Sequence, residues 1–149
     1  MSTTIKKFLT HEDISVCTIT PVSTAGVLGT PVSLIGHIDY INISSMVGQE
    51  NVHPVGYMGD SHIATSYDTV VEIGERLKYG ASANKLAKIA FSSRLVDIYI
   101  VAGGYIFEAV MRAGTYSERY GGTCSGVQSF HQTIDATTNE PNVWSTYTS

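Results

Sequence analysis

Residues 94–112 constrain this chain more than any other segment. Two β-rich arms, Leu95–Ala102 and Tyr105–Arg112, flank Gly103–Gly104. Valine, isoleucine and tyrosine fit a pleated surface. Two adjacent glycines supply the positive φ angles that a two-residue hairpin turn demands. In the second arm Tyr105, Phe107, Ala109 and Met111 share one face, and Ile106, Glu108, Val110 and Arg112 share the other. Sequence spent this way specifies strand pairing, and such apolar arms are an aggregation hazard unless their edges are paired or covered.

The flanking sequence continues in the same style. Ile14–Ile19 alternates as a short strand that Pro21 is expected to end. Residues 20–31 hold prolines, glycines and small residues, as a loop does. Val32–Ile43 carries apolar residues on both faces, the mark of a strand covered from two sides. Residues 44–68 contain Gly48, Pro54, Gly56 and Gly59 and are expected as a long interaction loop, because Met46, Val47, Tyr57 and Met58 favour docking over solvation. Thr69–Leu77 resumes strand, with Val71, Ile73 and Leu77 on one side and Glu72 and Arg76 on the other. Ser82 is a fair N-cap, and Leu86, Ile89 and Ala90 form an apolar stripe, so one short helix is expected over about residues 82–92. Gly114 and Gly121–Gly122 are expected to open further turns before a last strand within Thr123–Asp135.

The expected fold is therefore mainly β: an antiparallel sandwich or barrel with one short flanking α-helix. The 149 residues suit a single domain, residues 1–149, with polar terminal arms at 1–13 and 136–149. Charged residues are 15% and hydrophobic residues 43%, against roughly 25% charged in an average domain. A polar, weakly charged surface is cheap to bury against other protein. The net charge of −4 argues against an electrostatic nucleic-acid binder, and Lys6–Lys7 is the only adjacent basic pair. No apolar run approaches a membrane span or a signal peptide, so no membrane anchor is expected.

Catalytic chemistry is hard to place. His37, Asp39, His53 and His62 are the residues from which a metal or ligand site would be assembled, but none has zincin spacing. Gly122–Thr123–Cys124–Ser125–Gly126 is the nearest segment to a nucleophile elbow and lacks an activating helix. Cys17 and Cys124 lie far apart without metal spacing, and a disulfide between them is unsupported. Residues 78–82 lead into the helix entry, where an anion is physically allowed. Glu72 with Arg76, and Glu108 with Arg112, would form cross-strand ion pairs if their strands were neighbours. No catalytic, cofactor-binding or metal-binding residue is assigned; no cofactor is expected, and the chain is expected not to be an enzyme.

The strand Thr69–Leu77, the helix at Ser82–Phe91, the hairpin at Gly103–Gly104 and the last strand Val127–Ile134 together resemble a bacteriophage tail-tube or related virion structural protein. That resemblance implies β-sandwich-like subunits in hexameric rings whose sheets join into one inner barrel. The rings stack into a tube, and a long loop, here 44–68, reaches the next ring. The partners implied are further copies of the chain and possibly sheath or other tail proteins. DNA would pass as non-sticking cargo, and the location would be the virion, assembled in the host cytoplasm. Two other readings stand beside it: a capsid decoration or head–tail connector protein, and a small ligand-binding β-barrel using His37, Asp39, His53 and His62.

Overall fold

A computed structural model describes residues 8–52, 56, 61–80, 84–86, 95–135 and 145–146. A 3₁₀ turn at His11–Asp13 leads into β1 (Ile14–Val22), followed by β2 (Val32–Ser33), β3 (Ile38–Val52), β4 (Ser61–Arg76), β5 (Leu95–Ala102), β6 (Tyr105–Arg119), β7 (Ser125–Asp135) and β8 (Ser145–Thr146). All belong to one antiparallel sheet in the order β2-β1-β5-β6-β7-β4-β3, with β8 beside β6. The mainly-β expectation is met. Of the helix expected over 82–92, Lys85 and Leu86 are described and are helical; the rest lies outside the described residues.

The Gly103–Gly104 turn forms as the sequence demands. Both glycines have positive φ, +52° and +89°, and Ala102 pairs directly with Tyr105. Alternation then decides what is buried: Val96, Ile98 and Ile100 on β5, and Phe107, Ala109 and Met111 on β6, point into the core. Tyr105, expected on that packed face, lies about half exposed at the hairpin tip. The opposite face carries Glu108, Val110 and Arg112 in the open.

β6 does not turn at Gly114, as expected, but runs on through it. Its register shifts between Ala113 and Tyr116, an extra residue that bends the strand. Up to Arg112 β6 pairs with β5, and from Arg112 onward, through the bend, it pairs with β7. A Cβ at Gly114 would lie 2.7 Å from the His131 ring, so a side chain at this corner would have to displace that ring. The bend curls the sheet round one core. Cys17 and Ile19 from β1 meet Val71 and Ile73 from β4 and Phe130 from β7, while Ile41 and Ile43 of β3 pack against them.

Three expectations need correcting. Val32–Ile43 is not one strand: His37 N–H donates to Leu34 C=O (2.9 Å) across a turn in which Gly36 has φ +81°. Pro21 does not end β1, which runs to Val22. Pro21 C=O accepts from Gly29 N–H on the side away from β5, so its missing N–H costs no ladder bond to β5. Residues 44–68 are mostly strand: Ser44–Val52 and Ser61–Asp68 pair with each other, leaving a connection at 53–60. A register shift between Gly48 and Gln49 breaks the alternation that would have revealed them.

Candidate assembly interface

Beyond its corner, β6 forms a four-stranded unit with β7, β4 and β3, and among the described residues both outer edges of this unit are without a strand partner. Among the described residues β3, fifteen residues long, pairs only with β4. Residues 113–119 of β6 pair, among the described residues, only with β7, because β5 begins at Leu95, opposite Arg112. Proteins blunt exposed edges with proline and lysine. β3 contains neither, and its residues 40–49 carry no charge at all. Such an edge offers a row of backbone donors and acceptors to another strand.

Among the described residues the last β4–β7 pair is Ser66 with Asp135, and residues 49–52 and 61–65 have described strand partners only in each other. Met46 is 68% exposed and Val47 51% at the base of this paired segment. At the opposite end of β3 an open groove of about 650 Å³ lies between its isoleucines and β1 and β5, with Ile38, Ile41, Ile43, Ile14 and Ile100 among its walls. Glu12 and Asp39 stand at its margin.

The charges are placed differently from their sequence expectation. β4 and β6 are separated by β7, so Glu72 and Arg76 do not pair with Glu108 and Arg112. Arg76 Nε instead lies 3.8 Å from Asp39 Oδ2, both side chains well exposed, a contact worth little. Tyr40 O–H donates to Glu72 at 2.7 Å, which pushes the Tyr40 hydroxyl up to about 12. Its ring covers Gly74, where a Cβ would lie 2.1 Å from Tyr40 Cε1. Burial raises the Asp97 carboxyl, and a hydrogen bond with Glu108 opposes the shift.

Glu75 is a charged residue to which the sequence analysis gave no place. It shares the parity of Val71 and Ile73 and is fully buried with them. Its carboxylate accepts from Lys85 N–H (2.9 Å) and Leu86 N–H (3.1 Å). The anion allowed at the helix entry is therefore the chain's own. The alternation around Glu75 was the signal, and it was overlooked.

The candidate ligand set is not brought together. His37 Nδ1 lies 3.4 Å from Lys78 Nζ, and Asp39 faces Arg76. His53 lies outside the described residues, and His62 pairs through its backbone with Asn51. Among the described residues no group of three His, Cys, Asp or Glu side chains could hold a metal. Both cysteines are free thiols. Burial pushes Cys17 up to about 12, which leaves it protonated and inert. Cys124 lies in the turn into β7, its carbonyl accepting from Leu77 N–H at 3.0 Å. No described helix is long and apolar enough to cross a membrane.

No family model matches the chain, and no curated protein matches it in sequence. Solved structures do. A chain from the tail of an empty gene transfer agent (GTA) particle, refined helically with C6 symmetry, superposes with a TM-score of 0.58 at 10% identity, over 93% of this chain and 98% of that one. In fold, the chain resembles a virion tail protein. A chain from the virion of a native GTA particle gives a TM-score of 0.56 at 10% identity, with the same coverage of both chains. The likeness runs over almost the whole of both chains.

Proposed function

We propose that this chain is a structural subunit of a phage-type tail, in which copies associate edge to edge into rings and the rings stack into a tube. The observation that carries the reading is the end-to-end likeness to a chain of a C6-symmetric tail, joined to a four-stranded unit with two unprotected edges. An open edge of β3 on one copy and of residues 113–119 on the next form a heterologous joint. Such joints repeat around a ring until it closes and no edge remains. The distal part of the β3–β4 hairpin supplies the contact to the next ring.

The solvent face of the four-stranded unit fits a channel wall. It presents Asn42, Ser44, Asp68, Glu72, Ser129 and Thr133, and in the same register Arg76, Arg112, Arg119 and His131, so the face is polar and carries both signs of charge. Negative-stain microscopy of the purified chain tests the reading. Rings or tubes are the expected result; a protein that stays monomeric at high concentration overturns it.

A further inference from the structure

Ala113 and Tyr116 of β6 both pack against the core, although they stand three positions apart. On a regular strand an odd separation puts two side chains on opposite faces. One inserted residue reconciles them: Ala113 pairs with Phe130 and Tyr116 with Gln128, so Gly114 and Thr115 together face Ser129. The ladder leaves such an extra residue unpaired, and here β7 supplies side chains instead. Thr115 N–H donates to Ser129 Oγ (3.1 Å), and that hydroxyl donates to Thr115 C=O (3.3 Å). Gln128 Nε2 donates to Gly114 C=O (3.2 Å). The one proton of Ser129 goes to Thr115, so His131 Nε2, 3.3 Å from the same oxygen, is the donor of that contact. Two side chains of β7 thus hold two residues of β6, and a third steadies Ser129. The hold has a cost. Gln128 is fully buried, and among the described residues its Oε1 has no hydrogen-bond partner, a penalty that an apolar side chain of the same length would not incur.

We infer that Thr115, clamped by Ser129 and Gln128, is a curvature device. It sets the angle between two halves of the sheet: β1, β5 and the first part of β6 on one side, and residues 116–119 with β7, β4 and β3 on the other. The fold itself does not need it. With Thr115 deleted, Gly114 alone faces Ser129, Ala113 and Tyr116 stand two positions apart on one face, and the pairings on either side keep their register. What is lost is the bend and the added twist of a bulge. Among the described residues 116–119 have a strand partner on one side only, so the same angle decides the direction in which this edge meets another strand. The consequence for ring closure rests on the tail-subunit reading; the angle within one chain does not.

The test is deletion of Thr115 from the full chain. Spin labels on Ser15→Cys in β1 and Asn42→Cys in β3 report the distance between the halves, in a Cys124→Ser background that leaves only the buried Cys17. They are read at concentrations too low for assembly. The deletion chain should melt cooperatively within a few degrees of the natural one, with the distance shifted by several ångströms. Should it fail to fold, Ser129→Ala keeps the chain length and releases Thr115. That variant should broaden the distance distribution and speed hydrogen exchange at the Thr115 amide several-fold. An unchanged distance in the folded deletion chain, or an unchanged distribution and exchange rate in Ser129→Ala, overturns the inference. In negative-stain images the deletion chain should give open arcs or rings of altered diameter; rings identical to those of the natural chain overturn the inference too. If the natural chain forms no rings, the tail-subunit reading fails, and the distance alone decides for or against the bend.

Discussion

Replacing Glu75 should cost more than any exposed charge in this chain. Its carboxylate accepts from two backbone amides at 2.9 and 3.1 Å, and the side chain is fully buried. Charge-assisted hydrogen bonds contribute about 1.5–3 kcal/mol each, and a buried amide left unpaired costs about 1–3 kcal/mol. Glu75→Ala removes both bonds but also relieves the desolvation of a buried carboxylate, a cost of several kcal/mol. The balance is a loss of about 3 kcal/mol, which for a chain of this size lowers Tm by about 6–12 °C. Glu75→Gln keeps one accepting oxygen while its amide nitrogen faces the other N–H, so it should lose about half as much. Thermal and urea denaturation followed by circular dichroism, at concentrations too low for assembly, measures both. An alanine variant within about 0.5 kcal/mol of the natural chain would refute the assignment, since that is the range of an ordinary surface substitution.

Gly74→Ala should destabilise by about 1–3 kcal/mol, because its Cβ would meet the Tyr40 ring. In a Tyr40→Ser background most of that cost should vanish, and additive denaturation midpoints across the double-mutant cycle would exclude the contact. Asp97 gives a pH dependence of definite sign. Its carboxyl is raised mainly by burial, so the folded state holds the proton more tightly than the unfolded state. The stability this confers is present below the unfolded value of about 3.9 and is lost as pH rises through the raised folded value. Asp97→Asn should therefore gain stability at pH 7 relative to the natural chain, with the gain disappearing in denaturation curves near pH 3.

The hairpin at Gly103–Gly104 was legible in the sequence because three signals coincide: a glycine pair, β-branched arms and unbroken alternation. The β3–β4 hairpin was not. Gly48, Pro54, Gly56 and Gly59 imitate a loop, and the register shift opposite Gly48, where Thr65 is an extra residue in β4, swaps the faces along β4. Gly114 misled for a related reason. Glycine marks turns and also marks places where another side chain needs room, here the ring of His131. The open edges were invisible to any one-dimensional reading, since they depend on where β5 begins relative to β6. The groove joins residues from β1, β3 and β5, and sequence distance conceals it in the same way.

The pairing of β1 with β5 also imposes an order on events during synthesis. Ser15 and Val101, which meet across that joint, are 86 residues apart in the chain. At about 5–20 residues per second, β1 waits about 4–17 s for its partner to be made. The β3–β4 hairpin is complete well before then, while the bent strand that carries the other open edge is made after β5. A newly made chain therefore gains its two joining edges at different times. On the assembly proposed above, an unfinished subunit offers only the β3 half of a head-to-tail joint: it can dock on a finished copy but cannot accept the next one, so the topology holds back propagation until most of the chain has been made.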